Sequence, residues 1–352
     1  MDLSYLFYLS SGLFLGWSLG ANDAANIFGT AVGSKMVRFK FIAGVACLFV
    51  VLGAVFGGSG TSETLENLGS VDALAGAFMV ALSAALAVYM MVRTGVTVST
   101  SQAIVGAIIG WNLYAGRSTD MSTLAQIVST WTLCPLISGI AAILLYVILK
   151  KIQKCSSMHL LMRDQCTRIG LIITAAIGAY ALGANNIANV VGVFVQSCPF
   201  KALSFGKFVT LEPVQVLFLL GAIAISVGIV TYSHKVIKTV GNNLMRMSPT
   251  VALIIVLSQA TVLLLFSSVS LHNWLEASPF PTIPLVPVSS TQAVIGAILG
   301  IGLIKGGRNI NWGIIGKIVL GWVLAPLMAM LICFICLFFL ENVFNQTVYL
   351  AG

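Results

Sequence analysis

Gly20-Ala-Asn-Asp-Ala-Ala-Asn26 and Gly183-Ala-Asn-Asn-Ile-Ala-Asn189 are one seven-residue pattern written twice, each time inside a long apolar run. Asn22 and Asn26, like Asn185 and Asn189, stand four residues apart and so share one face of a helix. A carboxylate such as Asp23 costs about 2.5–3.5 kcal/mol at the centre of a bilayer on insertion scales, and there it faces a pathway, a cation or a partner. Amide and carboxylate oxygens are hard ligands of the kind sodium takes. A lone Asn would be read as a hydrogen-bonded link between helices. Five Asn and one Asp in a duplicated motif are read as a site. The flanking Gly20, Gly29, Gly183 and Gly192 suit a helix that unwinds or packs closely.

Working outward, two further blocks repeat in the same order. Thr100-Ser-Gln-Ala-Ile-Val-Gly-Ala-Ile-Ile-Gly110 matches Ser290-Thr-Gln-Ala-Val-Ile-Gly-Ala-Ile-Leu-Gly300, and Trp131 with Pro135 matches Trp322 with Pro326. The chain is therefore an internal duplication. The offset grows between the first block and the second, which places an insertion in the second half.

The 352 residues are 59% hydrophobic and only 8% charged, where a soluble domain carries about a quarter charged residues. Ten apolar segments are marked, at 3–33, 41–57, 73–92, 95–115, 122–149, 168–198, 208–233, 249–270, 286–304 and 313–340. With one crossing each, 14 of the 18 basic residues fall in loops on one side, and the excess places both termini outside. The first segment lacks a basic n-region and is read as a mature span. The net charge of +8 lies in short loops, so nucleic acid is excluded as a partner; the lipid bilayer is the expected one. Five crossings per half is odd, so the halves are expected to be inverted: 1–155 and 168–345, joined by a cytoplasmic linker at 156–167. The fold class is all-α and polytopic, with two inverted-topology repeats whose discontinuous or re-entrant helices meet at a midplane site. Parity alone leaves open whether 73–115 is two plain spans or includes a re-entrant piece.

Ser99-Thr-Ser-Gln102 and Ser289-Ser-Thr-Gln292 each precede a helix rich in small residues. Hydroxyls at a helix start, with free N–H groups and the positive dipole end, make an anion site. The same residues are ordinary N-caps, but two inverted copies would face one another across the centre. Neither block holds Lys or Arg, so dipoles and bound cations must balance the anion, as in a cation symporter. The Cys333-x-x-Cys336 pair lies in an apolar run and reads as buried thiols. His159, His234 and His272 are expected in loops. Gly95, Gly106, Gly110, Gly296 and Gly300 are read as close-packing positions, and Pro279, Pro281, Pro284 and Pro287 as an extended lead into the second hydroxyl block. No HExxH or nucleophile–His constellation is present, so an enzyme ranks last.

These residues carry a resemblance. The motif at Gly20–Asn26, followed by Gly29-Thr-Ala-Val-Gly-Ser34 and partnered by Gly183–Asn189, resembles the signature of the inorganic phosphate transporter (PiT) family, over essentially the whole chain. The resemblance implies cation-coupled phosphate uptake, with sodium or, in some bacterial members, protons. It implies a multi-pass protein of a prokaryotic inner membrane, no organic cofactor, and phosphate and sodium as the partners; a homodimer is compatible with it. Sodium is expected at Asn22, Asp23, Asn26, Gln102, Asn185, Asn186, Asn189 and Gln292. Phosphate is expected at Asp23, Thr100, Ser101, Asn186, Ser290 and Thr291. Asn186 departs from the pattern, standing where many members have a second Asp. The alternatives are a proton-coupled phosphate or sulfate permease and an anion channel.

Overall fold

In lipid a backbone has no water to bond to, so each apolar run satisfies its own N–H and C=O groups as an α-helix. The computed structural model describes residues 3–33, 35–93, 98–155, 159–205, 209–234, 237, 248–307 and 310–350. In chain order the first half forms α1 (Leu3–Gly33), α2 (Phe39–Gly57), α3 (Ser59–Leu68), α4 (Leu74–Arg93), α5 (Thr100–Tyr114) and α6 (Met121–Cys155). The second forms α7 (Leu160–Val191), a short antiparallel hairpin β1 (Leu203–Phe205) and β2 (Val209–Leu211), α8 (Pro213–Thr231), α9 (Pro249–Ser267), α10 (Val269–Glu276), α11 (Ser290–Ile304) and α12 (Trp312–Asn342).

Seven of these helices (α2, α4, α6, α7, α8, α9 and α12) are long and apolar enough to cross a membrane. The ten anticipated segments thus differ in kind. Helix α1, with 31 residues, is about 46 Å long, but its Ser, Gly, Tyr, Asn and Asp dilute its apolar character. Helices α5 and α11 have 15 residues each, about 22 Å, short of a hydrocarbon core of about 30 Å. The segments 95–115 and 286–304 are therefore not plain helical spans. Residues 98–99 and 281–289 run without regular structure into the helix starts, the second stretch being the extended lead expected from its prolines.

One alternative is decided and two further expectations change. Helix α1 is continuous through Gly20 and α7 through Gly183, so the motif helices do not unwind there. Residues 160–167, expected as linker, form the first turns of α7, and His272 sits within α10. Gly95, Lys207, Lys235, Lys238, Arg246 and Arg308 lie outside the described residues.

The two ends of the bundle carry different chemistry. Tyr8 donates to Gln346 (2.7 Å), the indole of Trp111 to the carbonyl of Val348 (2.9 Å), and Arg117 pairs with Asp72 (2.6 Å), so both described chain ends share one end, called here the terminal end. At the other, Lys150 and Lys305 both lie over the Tyr146 ring, and Arg163 and Ser248 line the same small cavity. This is the basic end. Large apolar side chains stand exposed along α6 and α12, among them Leu136, Ile140, Leu144, Leu320, Val323 and Leu331, a surface suited to lipid rather than water.

Contacts recur with the halves exchanged. Helix α2 packs along α7 as α8 packs along α1; α5 packs along α12 as α11 packs along α6; α4 lies on α1 as α9 lies on α7. A Cβ on Gly20 would strike the carbonyl of Ile225, and one on Gly183 that of Val50. Gly53 faces Tyr180 as Gly228 faces Trp17, and Gly106 faces Pro326 as Gly296 faces Pro135. The offset steps from 163 (Gly20, Gly183) to 175 (Gly53, Gly228) to 190 (Gly106, Gly296). The inserted chain therefore falls at the β1–β2 hairpin and at α10. Pro135 and Pro326 lie inside α6 and α12, where their rings displace the helical hydrogen bond one turn back. Backbone meets backbone at these points only because one partner is glycine.

Candidate functional site: a closed polar centre

Helices α5 and α11 begin deep in the protein. Ser99 accepts from the N–H of Gln102 (3.3 Å) and Ser289 from that of Gln292 (3.2 Å), so the first Ser of each block is an N-cap. The residues after the cap reach across to the other half. Ser101 donates to the carbonyl of Val288 (3.3 Å), and Thr291 approaches that of Val98 at 3.5 Å. Val98 and Val288 immediately precede the two caps, so the helix starts meet as a pair. Thr100, Ser101, Ser290 and Thr291 are all buried.

Against this pair stand the two motifs. Asp23, only 1% exposed, accepts from the Asn22 amide (2.9 Å) and from the Ser290 hydroxyl (2.5 Å). Hydrogen bonds to a charged group contribute about 1.5–3 kcal/mol each, enough for two to offset the cost of a carboxylate at membrane depth. On α7, Asn189 donates to Ser101 (2.8 Å) and to Asn186 (3.0 Å), and Asn186 donates to the Leu182 carbonyl (3.3 Å). The structure thus joins Asp23, Asn22 and Ser290 in one cluster and Asn186, Asn189 and Ser101 in another. Asn26 is half-buried one turn further along α1.

The frame repeats, but the centre does not. Asn185 makes a two-way pair with Val288, donating to its carbonyl (2.7 Å) and accepting from its N–H (3.2 Å). The equivalent Asn22 turns to Asp23 instead. Asn185 therefore pins the irregular stretch that leads into α11. Asn185→Ala removes both bonds; the buried Val288 N–H is left unpaired, at about 1–3 kcal/mol, while its carbonyl keeps the Ser101 hydroxyl. The variant is expected to melt several degrees lower, with weaker phosphate uptake because Ser290 and Thr291 lose their support; a thermal melt alongside an uptake assay checks both.

Three buried amide oxygens, Gln102 Oε1, Gln292 Oε1 and Asn189 Oδ1, have no hydrogen-bond partner among the described residues. An amide oxygen in this condition costs about 1–3 kcal/mol by protein mutational measures. Together with the Asp23 carboxylate they match the oxygen-rich donor chemistry that suits a sodium ion. Gln102 and Gln292 differ from the asparagines in one respect. They line an apolar cavity of about 820 Å³ between α6, α11 and α12, walled by Trp131, Pro135, Trp322 and Pro326, and none of the motif asparagines lines it. This large cavity is thus beside the polar centre, whose named side chains, Asn26 aside, are buried.

Motif reading passed over one buried amide, Gln259 on α9, fully buried with both polar atoms unpaired among the described residues. The signal was a single Gln inside an otherwise apolar run.

The Phosphate transporter family profile matches residues 19–333 and 280–350. Two archaeal proteins, each named "Putative phosphate permease", are similar over nearly their whole lengths. MJ0630 of Methanocaldococcus jannaschii is 29% identical over 335 residues, 95% of each chain. TK2061 of Thermococcus kodakarensis is 26% identical over 418, covering 95% of this chain and 97% of that one. Among solved structures, one described as the sodium-dependent phosphate transporter superposes with a TM-score of 0.77 at 22% identity, covering 95% of this chain and 99% of that one. That similarity extends to the fold. Membership of a transporter family also sets the enzyme reading aside. On profile, relatives and fold together, this chain belongs to the phosphate transporter family.

Proposed function

We propose that this multi-pass protein imports inorganic phosphate with sodium by alternating access across the cell membrane. The observation that carries the reading is the meeting of the two hydroxyl-bearing helix starts in a buried centre, with Asp23 held beside Ser290. Thr100, Ser101, Ser290 and Thr291, with the free N–H groups of α5 and α11, suit a tetrahedral oxyanion. Phosphate at neutral pH still donates a hydrogen bond and Asp23 accepts one, which sulfate cannot use. Asp23, Asn22, Asn26, Asn185, Asn186, Asn189, Gln102 and Gln292 supply the sodium ligands in this scheme. The sodium dependence named for the solved neighbour supports that choice.

Residues 1–155 and 168–345 act as inverted repeats, a reading supported by the exchanged helix contacts. Both termini lie outside, supported by their shared end of the bundle and by the basic residues at the other. Sodium enters first and completes the anion site, phosphate follows, and one bundle rocks against the other.

The test is radiolabelled phosphate uptake into proteoliposomes under an inward sodium gradient, with a choline control and excess sulfate as competitor. Sodium-driven uptake that resists sulfate is expected. Uptake that follows a pH gradient instead, or is displaced by sulfate, replaces the coupling ion or the substrate. Flux with no cation dependence points to a channel.

A further inference from the structure

Gln259 lies in the middle of α9, and its amide is unpaired on both sides among the described residues. In hydrocarbon such a group persists only where something answers it. Packing does not require it. The α4 stretch Leu82-Ser83-Ala84-Ala85 corresponds to Leu257-Ser258-Gln259-Ala260 at the offset of 175 shared by Gly53 and Gly228, and Ala84 is equally buried. One half builds this position with a methyl group, the other with an amide.

The depth of Gln259 follows from helix directions. Arg163 and Ser248 line one cavity at the basic end, so α7 and α9 begin together and run parallel; α1 begins at the terminal end and runs against them. The three helices meet at Gly178, where a Cβ would stand 3.1 Å from Val256 and 3.3 Å from Ile27. One turn from that junction toward the terminal end are Asp23 on α1, Leu182 on α7 and Gln259 with Ala260 on α9. Gln259 is therefore within about one helical turn, 5.4 Å, of the depth of Asp23. Helix α9 also packs on α11, whose Ser290 holds Asp23.

We propose that Gln259 is a ligand of the transported cation, its amide oxygen joining the oxygens around Asp23. The ligand class is a desolvated monovalent hard cation, sodium in the first instance. The assignment rests on the cation–phosphate reading of this centre. It gives the half that carries Asn186 in place of a second carboxylate an additional neutral oxygen, and it makes the cation site intrinsically one-sided.

The experiment compares wild type, Gln259→Ala and Gln259→Glu in proteoliposomes, reading the sodium concentration for half-maximal phosphate uptake and the phosphate KM at saturating sodium. Sodium-induced stabilisation of the purified proteins, with choline chloride as control, is measured in parallel. For Gln259→Ala the half-saturating sodium concentration is expected to rise about tenfold or more, with phosphate KM within about threefold and the sodium-induced rise in Tm lost; tenfold corresponds to about 1.4 kcal/mol. Gln259→Glu keeps the oxygen and is expected to retain wild-type sodium affinity or better. A Gln259→Ala protein with wild-type sodium dependence overturns the proposal. If that variant is not recovered folded, Gln259→Met, which keeps the length and removes both polar atoms, supplies the same comparison. A wild-type protein indifferent to sodium in both readouts removes the cation reading itself, an outcome separate from a wild type that responds and a variant that does too.

Discussion

Asp23→Asn is expected to reduce sodium-driven phosphate uptake by at least about 100-fold while leaving the protein folded. The side chains are nearly the same size, so packing around α1 is preserved. What changes is the charge and one acceptor. The carboxylate accepts from both Asn22 and Ser290. An amide in its place can accept at only one side and turns N–H groups toward the other. Two charge-assisted bonds at about 1.5–3 kcal/mol each, together with the charge that balances a bound cation, exceed the roughly 2.7 kcal/mol that a hundredfold loss represents. Removing a carboxylate from membrane depth also relieves a cost of about 2.5–3.5 kcal/mol, which offsets much of the lost bonding, so the melting temperature is expected to fall by a few degrees at most. Uptake and a thermal melt on one preparation test both halves of the expectation. An Asp23→Asn protein that transports within twofold of wild type removes Asp23 from the mechanism.

Gly106→Leu is expected to prevent the native fold outright. A Cβ at Gly106 would overlap the Pro326 carbonyl oxygen and stand 2.6 Å from its Cα, and backbone has no rotamer by which to yield. Overpacking an ordinary core costs about 1–3 kcal/mol; here α5 would have to separate from α12 along its length. Gly296→Leu against Pro135 is the same experiment with the halves exchanged. Gly316, on α12 with nothing within 4 Å of an added Cβ, is the control. Gly316→Ala is expected to be neutral or stabilising by up to about 1 kcal/mol, the helix-propensity difference. Monodisperse yield on gel filtration and Tm separate the two classes.

The glycines at the helix crossings were legible as a repeat: a residue with no side chain at the same place in both halves marks a point where two backbones come close. The capped helix starts were legible too, since a Ser followed three residues later by Gln, ahead of a small-residue run, states where backbone N–H groups are left free. The behaviour of the motif helices was not. Gly20 and Gly183 leave unwinding and close packing equally open, and only the carbonyls of Ile225 and Val50, far away in sequence, decide for packing. Nor could sequence distinguish Asn22 from Asn185. They occupy equivalent places in one motif, and the difference between bonding Asp23 and pinning Val288 arises from the arrangement of neighbours. Gln259 was illegible for a related reason, since a single amide in an apolar run acquires meaning only when its depth relative to Asp23 is known.

The pairing of α5 with α12 sets a timetable for biosynthesis. Thr100–Tyr114 packs along Trp312–Asn342, so the first hydroxyl block leaves the ribosome about 200 residues before the helix that braces it. At about 5–20 residues per second, that is an interval of roughly 10–40 s during which a short helix with a polar start must be held in or beside the membrane without its partner. The first half thus cannot mature as an independent unit, and a chain stopped anywhere before α12 leaves an orphaned α5. Quality control in the membrane then meets one large cooperative assembly step when α12 arrives, and nascent chains are most vulnerable just before it.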